Sequence, residues 1–224
     1  MRVAHLVFIA MIPGLVYGAG DAAKRLDDSA DVLTEIMSAP DKGIPRDLLQ
    51  KAECVVIVPG LKKGAFIVGA KYGKGFITCR RSAGAGWSAP GAIRVEGGSF
   101  GFQIGGAETD VVLLVMNRGG AKKLLSSKFT VGGDAAVAAG PVGRESSAET
   151  DAQMHAELLS YSRSRGIFAG IALQGATLRP DRDWNEELYG KHVSNRHIVL
   201  GETRPRPSAG RLLAELNKFP RKNG

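Results

Sequence analysis

At 224 residues the chain is long enough to bury one substantial core, or at most two small ones. Its 44% hydrophobic content beside 30 glycines excludes a disordered segment and fits a turn-rich β protein, whose sparse aromatics leave the core to Val, Ile, Leu and Ala. A formal net charge of +8 excludes an acidic, cation-collecting protein and directs long-range attraction toward anionic partners.

Residues 1–18 read as a secretory signal. Arg2 precedes an apolar stretch, Val3 to Val16, that is interrupted by His5 and Pro13-Gly14, and Val16-Tyr17-Gly18 offers a peptidase site after Gly18. The stretch is shorter than the ~20 residues a membrane span needs, and no cysteine follows it to carry a lipid anchor. The alternative is an uncleaved N-terminal anchor or a buried helix. Export implies a periplasmic or secreted protein, so the positive charge is expected to meet anionic lipid or polysaccharide and not nucleic acid.

Asp21 to Ser38 predicts an amphipathic helix, with Ala22, Leu26, Ala30, Leu33, Ile36 and Met37 three or four apart and Asp27, Asp28 and Asp31 facing water. Ile44-Pro45 opens a second, short helix carrying Leu48, Leu49 and Ala52 inward. The pattern then changes to strands: Cys54 to Val58, closed by Pro59-Gly60, then Ala65 to Ala70 and Gly75 to Cys79, with Lys71-Tyr72-Gly73-Lys74 as a tight turn. Ala92 to Glu96, Ser99 to Ile104 and Asp110 to Met116 continue the strand rhythm; Phe100, Phe102 and Ile104 alternate with Gly101, Gln103 and Gly105, leaving one face nearly bare. Gly120 to Ser127 predicts a short helix, and Phe129 to Val142 small-residue strand and loop. Ala156 to Arg163 fits either a helix or the first arm of a hairpin with Ile167 to Gly175, the hairpin being favoured. Asn185 to Tyr189 predicts a helical turn, His197 to Leu200 a last strand, and Ser208 the cap of a terminal helix with Leu212, Leu213, Leu216 and Phe219 on one face. The expected fold is α+β, a single domain over 21–219: a glycine-rich antiparallel sheet or partial barrel with N- and C-terminal helices packed on it.

Catalytic and metal motifs do not develop. Gly97-Gly98-Ser99-Phe100-Gly101 matches G-x-S-x-G, but a nucleophile elbow needs a strand, a sharp turn and a helix, whereas Ser99 leads into a strand. Gly69 to Gly75 lacks the phosphate-loop spacing. Cys54, Cys79, His155, His192 and His197 show no metal-ligand spacing, and the paired acids Glu108 and Asp110 fit solvation or a turn bond. No enzyme activity, metal or cofactor is therefore expected. In a three-strand meander Cys54 and Cys79 flank the central strand, roughly 9.6 Å apart, beyond the ~7 Å reach of a bridge, so two free buried thiols are expected. The same meander brings Lys62, Lys63, Arg80 and Arg81 to one end and Lys71 and Lys74 to the other. Four clustered cations contribute about 4 kcal/mol toward an anionic membrane, roughly 10³-fold in affinity.

Further motifs carry a resemblance. Lys51-Ala52-Glu53, Lys63-Gly64-Ala65-Phe66, Gly73-Lys74-Gly75, Trp87-Ser88-Ala89-Pro90, Gly101 to Gly105, Thr109 to Val112, Gly140 to Arg144, Ser160 to Gly166, Phe168-Ala169-Gly170, Leu173-Gln174-Gly175, Asn185 to Gly190 and Gly201-Glu202-Thr203 follow one another in an order that resembles the SYLF domain family over roughly residues 21 to 219. The resemblance implies a non-enzymatic module that binds phosphoinositide-type or other anionic lipid, with Asp21 to Ser38 in the position of the family's N-terminal amphipathic helix. Fungal and animal members are linked to actin regulation. Export makes actin an unexpected partner here, and a protein or glycan partner for a periplasmic scaffold is the alternative reading.

Overall fold

The computed structural model describes residues 20–39, 43–65, 68–81, 86–100, 105–142, 155–164, 167–170, 175–201 and 203–221. Residues 1–18, read from the sequence as a signal, and residues 101–104 of the alternating glycine–aromatic run lie outside them.

The chain enters through α1 (Asp21–Ser38) and α2 (Arg46–Lys51). Apolar positions three and four apart in α1 bury Ala22, Leu26, Ala30, Leu33 and Ile36 against the sheet and the C-terminal helix, as expected of that spacing. The strands follow as β1 (Cys54–Ala65), β2 (Val68–Cys79), β3 (Gly91–Phe100) and β4 (Gly105–Val115), then α3 (Arg118–Leu124) and the short β5 (Phe129–Thr130) and β6 (Val137–Ala139). β7 (Leu158–Ser164), β8 (Ile167–Gly170) and β9 (Thr177–Pro180) precede α4 (Arg182–Tyr189), α5 (Asn195–Leu200) and α6 (Gly210–Asn217). The described strands form one sheet in the order β5-β9-β3-β2-β1-β4-β7-β6, with β8 on β7. All pairings are antiparallel except β6 with β7. Val55, Val56, Ile57 and Val58 are all at most 1% exposed, so both faces of β1 are covered. A curled half-barrel sheet with helices packed on it produces that burial, and the fold is α+β.

Three expectations give way in the first hairpin. The three-strand meander is two long strands: Pro59-Gly60 does not end β1 but bulges it, with the register to β4 shifting between Val58 and Leu61 and Gly60 at φ 58°. Proline lacks the N–H a regular ladder needs, and a bulge is where a strand tolerates it. Lys71 to Lys74 therefore lie inside β2 and make no turn. Gly75 is there for close approach: a Cβ would stand 2.0 Å from the Ile57 carbonyl oxygen. Cys54 and Cys79 are direct partners across β1 and β2, with Cα atoms 3.9 Å apart, and form a disulfide where free thiols were expected. Without a central strand between them the geometric objection disappears.

Two corrections concern the C-terminal part. His197 to Leu200 lie in helix α5, not in a strand, because the Ser194 hydroxyl accepts from the His197 N–H and caps it. Ser208 sits in a 3₁₀ turn (Pro207–Ala209) that runs into α6 and makes no side-chain cap there. The alternative left open at Ala156 to Arg163 resolves as the hairpin of β7 and β8.

Candidate functional site

The β1–β2 register separates the four cations expected to cluster. Lys62 faces Tyr72 and Lys63 faces Lys71 toward one end of the hairpin, whereas Arg80 follows Cys79 at the other. Some eight residues of strand, roughly 25 Å, lie between the two pairs, well over a Debye length of about 8–10 Å. Arg80 is also turned inward. Its guanidinium donates to the carbonyls of Ala52 (3.2 Å), Leu49 (3.0 Å), Gln50 (3.3 Å) and Phe219 (3.0 Å). Arg81 is exposed, with its N–H on the Gly86 carbonyl. Lys74, too, is engaged: its ammonium lies 2.8 Å from the buried Asp181 carboxylate and 4.4 Å from the Trp184 ring.

In place of that cluster the register sets Lys62 directly opposite Tyr72, which is 49% exposed, on one face of the hairpin, and pairs the positions Lys63 and Lys71 on the other face. Glu108 opposite Lys62 on β4 and Glu96 opposite Tyr72 on β3 offset the charge on that face. Sequence reading had put Lys71 at the far end because it took 71–74 for a turn.

A cleft of about 400 Å³ opens between α1 and the bulge, lined by Arg25, Asp28, Asp31, Glu108, Asp110 and Arg163 among others. Its four acids outnumber its two arginines, and both arginines are engaged. Asp110 accepts from the Gly60 N–H (2.8 Å) and from Arg163 Nε (2.6 Å), Arg163 also pairs with Glu35, and Arg25 donates to the Pro59 carbonyl (2.8 Å). Burial pushes the Asp110 carboxyl above its usual range, and the Gly60 N–H pulls it back. Asp110 is thus the pin of the bulge and not a solvated surface acid. Among the described residues no group of three or more His, Cys, Asp or Glu is placed to hold a metal ion. Ser99 lies within β3 opposite Gly69, so it does not stand on a strand-to-helix elbow.

A second depression, about 420 Å³, is lined by Tyr189, Lys191, His197, Thr203, Arg204 and Arg206. None of these is acidic. α4 and α5 are seated beside it by buried amides: Asn185 Oδ1 accepts from the Ala92 N–H (2.8 Å), Asn185 Nδ2 donates to Asn195 Oδ1 (2.7 Å), and Asn195 Nδ2 donates to the Ala92 carbonyl (2.9 Å). Sequence reading passed over this site. The available signal was the stretch 189–206, in which Lys191, Arg196, Arg204 and Arg206 accompany two histidines and a single acid, Glu202. Among the described residues no helix is long and apolar enough to cross a membrane.

Residues 96–219 match the family model described as Ysc84, Las17-binding protein actin regulator. The chain is 34% identical over 199 residues to the human SH3 domain-containing YSC84-like protein 1, covering 88% of this chain and 57% of that protein. To LAS seventeen-binding protein 3 of Saccharomyces cerevisiae it is 34% identical over 179 residues, 79% of this chain and 39% of the relative. The Xenopus laevis YSC84-like protein 1 is 32% identical over 203 residues, 90% and 59% respectively. The chain thus spans about half the length of the curated relatives it matches. With its ordered motifs, its α+β half-barrel and these likenesses, the chain belongs to the Ysc84 family of SYLF domains.

Proposed function

We propose that this SYLF domain binds anionic lipid at a membrane surface, without catalytic chemistry, after export directed by residues 1–18 and cleavage behind Gly18. The observation that supports it best is Tyr72, an exposed aromatic directly opposite Lys62 on one face of the β1–β2 hairpin, with Lys71 on the other face. An amphipathic ring with a lysine beside it suits the headgroup layer, where the ring meets apolar surface and the ammonium group meets phosphate. Three lysines at about 1 kcal/mol each give roughly 3 kcal/mol, on the order of 10²-fold in affinity. This replaces the four-cation patch, from which Arg80 is removed by its inward bonds. Arg81 stays exposed at the opposite end, too distant to add to the same contact.

The test is co-sedimentation of the mature chain with vesicles of graded acidic lipid content, with Lys62, Lys63 and Lys71 replaced by glutamine as the comparison. Loss of acidic-vesicle binding in the variant supports the reading; equal binding by variant and wild type refutes it.

A second reading has its own support. The relatives carry SH3 domains by name, and LAS seventeen-binding protein 3 is named for a protein partner. A protein-binding scaffold therefore stands beside the lipid reading. The family's description as an actin regulator also counts against setting actin aside on the strength of the N-terminal segment alone. Pull-down with actin and with acidic vesicles in parallel separates the two readings.

A further inference from the structure

We infer that the depression beneath α5 is a seat for a phosphomonoester, the terminal phosphate of a lipid headgroup. It rests on the lipid reading only for the source of the phosphate. Three observations carry it. First, the lining offers Lys191, His197, Arg204 and Arg206, with Thr203 and Tyr189, and no carboxylate among these residues. Among the described lining residues a dianion meets positive charge and no acid. Its volume of about 420 Å³ is in the range of small-ligand pockets.

Second, the site is built before any ligand arrives. Arg206 donates through Nε to the Leu188 carbonyl (2.8 Å) and through Nη2 to the Tyr189 carbonyl (3.0 Å). Its planar fork is thereby fixed across the C-terminal end of α4, and its remaining N–H donors are left for a ligand. A fixed guanidinium loses little freedom on binding and suits two phosphate oxygens at once. Tyr189 is held as well: its hydroxyl donates to the Pro90 carbonyl (2.6 Å), and burial pushes its pKa up, so it stays neutral and presents a ring wall.

Third, the rim carries an apolar knob. On α5, Asn195, Ile198 and Val199 are buried, whereas Arg196, His197 and Leu200 share the exposed face. Leu200 is 55% exposed. A cationic depression with a leucine beside it fits a phosphate that comes attached to acyl chains, since the leucine then enters the bilayer boundary as the phosphate is seated. Concentrated positive charge favours a monoester, which carries more negative charge near neutral pH than the diester of an ordinary phospholipid.

The test titrates the full mature chain with dihexanoyl phosphatidic acid, dihexanoyl phosphatidylglycerol and inorganic phosphate, following backbone amide resonances. Wild type is compared with Lys191→Gln/Arg204→Gln and with Lys122→Gln/Lys128→Gln, which removes two exposed charges elsewhere. Lys191 and Arg204 are exposed, so the first variant should keep its melting temperature, whereas Arg206 is spared because it holds α4. The short-chain phosphatidate should shift the His197 and Thr203 amides. Its affinity should fall at least tenfold in Lys191→Gln/Arg204→Gln, change less than twofold in Lys122→Gln/Lys128→Gln, and exceed that of the phosphatidylglycerol. No saturable shift at His197 and Thr203, or equal affinity in wild type and Lys191→Gln/Arg204→Gln, overturns the site. Equal affinity for inorganic phosphate and phosphatidate overturns the lipid source. Vesicle sedimentation distinguishes the two failures. Binding to acidic vesicles without any phosphatidate titration overturns this site and leaves the lipid reading intact. Phosphate titration at His197 in a chain that ignores every vesicle sustains the phosphate seat and overturns the lipid reading.

Discussion

The Arg80 guanidinium carbon stands 4.2 Å from the centroid of the Trp87 ring. The two side chains work as one clamp. Arg80 reaches four carbonyls on α2, the turn after it and the C-terminal segment, while Trp87 Nε1 donates to the Leu216 carbonyl (3.2 Å). Desolvation, and then the neighbouring Arg221, pull the Arg80 pKa down from a value high enough that the group stays charged. A half-buried cation held this way is a structural element. It closes the sheet's disulfide end against α2 and the C-terminal segment around Leu216 and Phe219.

Replacing Arg80 by leucine leaves those carbonyls without their donor and removes the ring contact. The expected cost is about 3 kcal/mol, in line with hydrogen bonds to a charged group. Urea denaturation of Arg80→Leu measures it, and a loss under about 1 kcal/mol contradicts the clamp. Vesicle binding by the folded variant should match wild type.

The Cys54–Cys79 disulfide closes a loop with a sequence separation of 25 between adjacent strands. Removing both sulfurs as Cys54→Ala/Cys79→Ala should lower stability by roughly 3 kcal/mol. Thiol counting on unfolded, unreduced protein is the companion measurement. It should find no reactive thiol, and two reactive thiols would show that the bond is absent.

Gly75→Ala should be among the most damaging single changes. The added methyl would meet the Ile57 carbonyl oxygen at 2.0 Å and Val58 Cα at 2.8 Å, both main-chain atoms of the central strand. The hairpin has to open, so a loss above about 4 kcal/mol or failure to fold is expected. Gly210→Ala is the control: nothing lies within 4 Å of its new methyl, at the start of α6. A thermal melt in which both variants match wild type would refute the close-packing account of Gly75.

What the sequence made legible follows from how locally each element is determined. α1 was readable to the residue because its apolar stripe is continuous and its burial follows the same period. The ambiguity over Ala156 to Arg163 had the same origin in reverse: Leu158, Leu159 and Tyr161 satisfy either period, and pairing with β4 and β8 decides it. The first hairpin was misread because Pro59-Gly60 and Lys71 to Lys74 have turn composition. What makes the first a bulge is the distant Asp110 carboxylate on the Gly60 N–H, and what keeps the second in a strand is β1 packed on Gly73 and Gly75. The site suffered the same error, since placing Lys62, Arg80 and Lys71 needs the register. Fixing Arg206 depends on the carbonyls of Leu188 and Tyr189, which no local pattern announces.

The central claim is that the lysines of the β1–β2 hairpin bring this domain to an acidic bilayer. Its most direct test is the salt dependence of vesicle affinity for wild type and for Lys62→Gln/Lys63→Gln/Lys71→Gln. Wild type should bind more tightly as acidic lipid rises and weaken steeply with salt, and the variant should lose on the order of 10²-fold with a flattened slope. Identical affinity and slope for the two proteins, or indifference of wild type to acidic lipid, would contradict it.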